Sequence, residues 1–163
     1  MDYNELLRNT YAQWRAAKEL RRIHCERCNR EDVAQQLAMC ELFKGTENVE
    51  ELAKVFTSPQ GIEFCLATGF PNIATFRLFK SFNPERFGIY VDAGTITLHN
   101  PETAVLIGRT SATIRCDSCS RHDIIAMHGG TATVLASKWA VVRAQNGAGS
   151  NIVRRTSDNA VIL

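Results

Sequence analysis

TITLHNPETAVLIGRTSATIRCDSCSRHDIIAMHGGTATVLASKWAVVRAQNGAGSNIVRRTSDNAVIL, residues 95–163, carries eight short apolar runs: Thr95–Leu98, Ala104–Ile107, Ala112–Ile114, Ile124–Met127, Ala132–Leu135, Ala140–Val142, Asn151–Val153 and Ala160–Leu163. Alternate runs fall into two interleaved columns. Leu98, Ile114, Val134 and Val153 lie 16, 20 and 19 residues apart, and Leu106, Ile125, Val142 and Ile162 lie 19, 17 and 20 apart. Two strands in every period of roughly 19 residues are the mark of a β-solenoid, in which each period is one coil and the coils stack in parallel. Turn chemistry falls between the runs, at Asn100–Pro101, Gly129–Gly130, Asn146–Gly149 and Ser157–Asn159.

Upstream the period changes. Leu7, Tyr11, Trp14 and Ala17 recur at helical spacing, with Arg8, Arg15 and Glu19 on other faces. Asn29 reads as an N-cap ahead of Glu31 and Asp32, for a helix that carries Val33, Leu37, Cys40 and Leu42 to a stop near Gly45. Asn48 and Glu51 have the spacing of a capping box, Ser58–Pro59 opens a further helix that stops at Gly69, and Pro71 opens a last one. The expected fold is α+β: short helices over residues 1–80, a junction at 81–88, and a parallel β-solenoid of about four coils over 89–163. The junction is short, so helices and solenoid are expected to pack as one unit.

Composition narrows the function classes. The net charge is +2, with twelve basic and twelve acidic side chains in residues 1–88 and seven and five in 89–163. Neither half has the basic stripe that neutralising several phosphates requires, so nucleic acid is not an expected partner. Asp2, Glu5, Arg8 and Arg15 interrupt Met1–Leu20, where an export signal would be apolar. No run approaches the roughly 20 apolar residues that span a bilayer. The expected setting is cytoplasmic, with the six cysteines as thiols.

Strand alternation assigns faces. If Arg143 points out, Ala140, Val142 and Ala144 point in, and the same register puts Ala104, Leu106, Ile125, Met127, Ala160 and Ile162 inside. The outward row is then Val105, Ile107, Ile124, Ala126, Val141 and Val161, an apolar patch that needs a cover, either the N-terminal helices or a second subunit. Ile162 would lie at the open mouth of a last coil with no polar cap, which with the outward row makes a homodimer the expected assembly. On the other column Thr95, Thr97, Ser111, Thr113, Thr131 and Thr133 point outward as a hydroxyl ladder, an ordinary choice for exposed strands.

Two clusters carry metal-ligand spacing. Cys25 and Cys28 form one Cys-x-x-Cys pair beside His24, and Cys116, Cys119 and His122 form a Cys-x-x-Cys-x-x-His run at a solenoid corner. Paired thiolates with a histidine suit tetrahedral zinc, although 87 residues separate the two pairs. Neither pair opens a helix after a strand, the setting of a redox Cys-x-x-Cys. His128 beside Gly129 and Gly130 reads as a structural strand-end residue. No serine–histidine–acid order, carboxylate pair or phosphate-binding loop stands out, so catalysis is not expected. Two readings remain: a non-enzymatic interaction or structural protein that presents a solenoid surface to an unknown protein partner, and a zinc-binding protein organised by the cysteine pairs.

Overall fold

Leu6, Leu7, Thr10 and Trp14 occupy one face of a single helix and are buried, while Glu5, Arg8 and Arg15 are exposed. This helix, α1 (Tyr3–Arg27), runs for 25 residues and is the exception among otherwise short helices. The computed structural model describes residues 2–163, which form two compact units, one ending at Leu78 and the other spanning Phe79–Leu163. In the first unit, α2 (Glu31–Met39) has Arg30 rather than Asn29 at its N-cap. Asn29 instead takes a left-handed φ of 56° in the turn that closes α1, a conformation asparagine tolerates. α2 also stops at Met39, short of the stop expected near Gly45.

The remaining caps follow the sequence closely. Ahead of α3 (Val49–Thr57), the Asn48 side chain accepts from the Glu51 N–H at 2.9 Å and the Glu51 carboxylate accepts from the Asn48 N–H at 2.9 Å. Ser58 Oγ accepts from the Gly61 N–H at the start of α4 (Pro59–Thr68), and Gly69 ends it at φ 72°. A short α5 (Ile73–Phe79) completes the helices. Their core is aromatic: Trp14 meets Phe43 and Phe64, Phe64 meets Phe70, and Phe56 meets Phe70 and Phe76 at centroid distances of 6.2 and 5.1 Å. Edge-on and tilted ring pairs of this kind add to area burial.

In the second unit, one-turn helices at Lys80–Phe82 and Pro84–Phe87 fill the segment read as the junction. Nine strands follow: β1 (Ile89–Val91), β2 (Gly94–His99), β3 (Thr103–Ile107), β4 (Thr110–Cys116), β5 (Arg121–Met127), β6 (Thr131–Ala136), β7 (Val141–Asn146), β8 (Asn151–Thr156) and β9 (Val161–Ile162). Odd strands form a five-stranded sheet and even strands a four-stranded one, with every pairing parallel. This is a β-solenoid of about four turns. Its first coil advances 16 residues, from Gly94 to Thr110, and the next two advance 20 each, from Ser111 to Thr131 to Asn151. A two-residue corner at Gly108–Arg109 helps to shorten that first coil. Gly130 is required where the coils close up, because a Cβ there would lie 2.3 Å from the Leu106 carbonyl oxygen.

The core lies between the two sheets. One sheet sends in the columns Ile96–Ala112–Ala132–Ile152 and Leu98–Ile114–Val134, and the other sends in Ala104–Ile124–Ala144 and His122–Val142–Ile162. Two register expectations are therefore corrected. Ile124 and Ala126 point inward and Ile125 and Met127 outward, because His122, not an apolar residue, fills the slot opposite Val142. In β8 the inward residue is Ile152, Val153 is exposed, and the slot opposite Val134 holds Arg154. The Arg154 guanidinium donates to the Ile152 and Ala144 carbonyls at 3.1 and 3.0 Å, so it bridges the two sheets where an apolar mouth was expected.

This register makes a direct prediction. Ile152→Ala removes a buried side chain and is expected to cost about 2–5 kcal/mol in denaturant unfolding. Val153→Ala is expected to stay within roughly 0.5 kcal/mol, since it touches only the exposed face. The reverse order would mean that β8 is out by one residue.

Candidate functional site

The outward positions of β2, β4, β6 and β8 form three rows across the coils. Thr95, Ser111, Thr131 and Asn151 are in register, as are Thr97, Thr113, Thr133 and Val153, and His99, Arg115, Leu135 and Arg155. Thr133 and Leu135 are half-buried and the other ten are exposed. β-Branched residues stand well on such a pleated surface, which is why the threonines sit here. Parallel strands lie about 4.8 Å apart, so hydroxyls repeat at that interval and Arg115 stands roughly 10 Å from Arg155. None of the four strands contains an aspartate or glutamate. The face is flat, rich in hydroxyls and cationic along one side.

Charged groups gather at the corner beside that side. Asn100 has a left-handed φ of 49°, and its Oδ1 accepts from the backbone N–H groups of Asp117 and Ser118. The Asp117 carboxylate takes a hydrogen bond from Asn100 Nδ2 at 2.8 Å and contacts His99 Nε2 at 2.9 Å, with Lys138 Nζ at 3.6 Å. These partners, the Asn100 hydrogen bond first, hold its carboxyl below the usual aspartate range.

The Cys-x-x-Cys-x-x-His residues occupy the same corner but point to different places. Cys116 is in the core, and burial followed by the nearby Asp117 charge pushes its thiol up to about 11. Cys119 is exposed. His122 is 1% exposed, with Nδ1 2.6 Å from the Pro101 carbonyl and Nε2 3.1 and 3.2 Å from the hydroxyls of Ser118 and Ser120. In the helical unit Cys25 is buried, whereas Cys28 is exposed with its sulfur 3.7 Å from His24 Nε2. Among the described residues no group of three or more His, Cys, Asp or Glu side chains is placed to hold a metal ion.

The expected interface row is likewise divided. Val105 and Ile107 point outward from the interior columns but are buried, as are Ile125 and Met127. Ile124 lies in the core and Ile162 packs against it. Val141 and Val161, paired in register, remain 41% and 46% exposed. In the helical unit a shallow groove runs along α1, but its cations are engaged. Lys18 donates to the Ala38 and Cys40 carbonyls, and Arg22 pairs with Glu19 and Glu26.

No protein-family model matches the chain, and no curated protein or solved structure matches it either. Among the described residues no helix is long and apolar enough to cross a membrane. Sequence reasoning missed the Ser118, Ser120 and His122 cluster because it read His122 with the cysteines. The Ser-x-Ser-x-His spacing was the available signal.

Thiol reactivity should report these placements. A thiolate is the reactive form, so burial and a raised pKa both slow alkylation. In the native protein iodoacetamide is expected to modify Cys28 and Cys119 at least ~10-fold faster than Cys116 and Cys65, the latter pushed up to about 12 by burial. Unfolding in denaturant should erase the difference, as peptide mass spectrometry can follow.

Proposed function

We propose that this protein is a binding module whose working surface is the outward face of β2, β4, β6 and β8. One observation carries the reading: three aligned rows of hydroxyl and guanidinium groups are held rigidly, mostly exposed, on strands that contain no carboxylate. Such a surface suits a protein partner that presents carboxylates and hydrogen-bonding groups, since complementary charge sets orientation and rate of encounter. Regular stacking supplies rigidity, so little ordering entropy is lost on binding. The six free thiols fit a reducing, cytoplasmic setting. Zinc organisation is the less favoured reading, because the cysteine and histidine side chains are not gathered.

Affinity capture with the tagged full chain, compared with Arg115→Glu/Arg155→Glu, tests the binding face. Reversing both charges is expected to reduce retention of a specific partner by at least ~10-fold without shifting the melting temperature. Identical partner sets on both proteins would remove the assignment.

The exposed pair Val141 and Val161 supports a second reading, self-association. These side chains form an in-register apolar strip on the odd-strand sheet, and a two-fold contact would bury it in both copies. Val161→Lys is expected to convert a dimer to a monomer in light scattering at high micromolar concentration. A wild-type monomer under those conditions would end the dimer reading and leave the binding face untouched.

A further inference from the structure

His122 stands in a core column, between Ala104–Ile124–Ala144 and the corner, where the other members of its own column are Val142 and Ile162. Both of its ring nitrogens are engaged. The Pro101 carbonyl can only accept, so in the neutral ring the proton lies on Nδ1 and Nε2 is left as an acceptor. Two hydroxyls then compete for that acceptor, Ser118 at 3.1 Å and Ser120 at 3.2 Å, and they lie 2.6 Å from each other. Satisfying one buried nitrogen needs one hydroxyl, and here a second is held beside it. Ser120 is exposed and Ser118 half-buried, so Ser120 is the hydroxyl that a molecule from solvent reaches.

The arrangement has the parts of an activated nucleophile: a hydroxyl within hydrogen-bond reach of an imidazole, and a group on the far nitrogen that fixes tautomer and ring orientation. A backbone carbonyl fills the orienting place taken by a carboxylate in the familiar triad. Beside it, Val141 N–H donates to the Ser120 carbonyl, and Trp139 sits at the equivalent corner of the next coil with its indole 64% exposed. An exposed indole at the corner of the adjoining coil offers an apolar surface one coil from the Ser120 position, suited to an apolar acyl or aryl group.

We propose that Ser120 is a nucleophile served by His122, and that this corner transfers acyl groups from esters carrying an apolar acyl or aryl part. Ser120 Oγ bonds to the acyl carbon while its proton passes to His122 Nε2. The tetrahedral intermediate collapses, the bond to the leaving alcohol breaks, and that oxygen takes the proton from Nε2. Water, deprotonated by Nε2 in turn, cleaves the acyl-serine to a carboxylic acid and returns the proton to Ser120. The sum is ester plus water to acid plus alcohol. This chemistry is separate from binding by the even-strand face and does not depend on it.

The full chain is incubated with a fluorophosphonate, which forms a serine–phosphorus bond and releases fluoride, and separately with p-nitrophenyl butyrate. The expected result is stoichiometric label at Ser120 by peptide mass spectrometry and turnover of the ester above the buffer rate. Ser120→Ala should lose both, and Ser118→Ala should keep the label at Ser120. His122→Asn retains a donor for the Pro101 carbonyl while removing the base, and should slow labelling by roughly 100-fold or more. If that variant does not fold, the comparison is wild-type labelling in buffer against labelling of the denaturant-unfolded chain, expected to be at least ~100-fold slower. Label absent from Ser120, label on Ser118 instead, ester turnover unchanged in Ser120→Ala, or equal labelling of native and unfolded chains would each overturn the proposal.

Discussion

Parallel stacking forces each coil to advance by one strand spacing, about 4.8 Å, and to return its inward side chains to the same columns. Everything else in the solenoid depends on that constraint. A one-residue slip would carry Ile114 and Val134 to the solvent face and Thr113 and Thr133 into the core. The corners enforce the return. Asn100, Lys138 and Asp158 take left-handed φ values of 49°, 58° and 56° on one edge, and His128 and the glycines Gly108, Gly129 and Gly149 do so on the other. Side chains tie the corners of successive coils together: Asp92 accepts from the Arg109 N–H, Asn100 from the Asp117 N–H and Asp158 from the Lys138 N–H.

Two polar residues occupy inward register positions, His122 in the buried core and Arg154 on exposed β8, and both are hydrogen-bonded. Arg154 donates to carbonyls on both sheets, and His122 contacts one carbonyl and two hydroxyls. Left unpaired, the buried His122 ring would cost on the order of 1–3 kcal/mol, so its partners are part of the fold. Because the corner that satisfies His122 is also open to solvent, structural satisfaction and a positioned hydroxyl arise from the same hydrogen bonds. The helical unit handles polarity differently. Its aromatic core buries Trp14, whose Nε1 has no hydrogen-bond partner among the described residues, so there the ring contacts outweigh one lost hydrogen bond.

The outward side of the even-strand sheet is simpler. Along β4 exposure alternates strictly, with Ser111, Thr113 and Arg115 exposed between buried Thr110, Ala112, Ile114 and Cys116. The odd-strand sheet lacks that alternation: Ala104–Ile107 and Ile124–Met127 are apolar and buried at every position. Strands buried on both faces read as continuous apolar runs, and continuous runs carry no parity. This contrast is why a hydroxyl surface is presented by one sheet, while Val105 and Ile107 on the other are buried.

Local chemistry was enough to determine several features from the sequence alone. Recurring apolar runs with turn residues between them specify parallel coils, and Asn48 with Glu51, Ser58 with Pro59, and Gly69 specify helix ends, because each depends on neighbours within a few residues. The threonine rows were legible for the same reason, since Thr-x-Thr alternation marks its own outward face. Tertiary structure decided the rest. Parity in Ile124–Met127 and in Asn151–Arg154 follows from backbone pairing with the adjacent coil, and polar His122 and Arg154 in the inward slots disguised it. The corner site is of the same kind: Pro101 and His122 are 21 residues apart in the chain, and only the return of one coil onto the last brings that carbonyl to the imidazole.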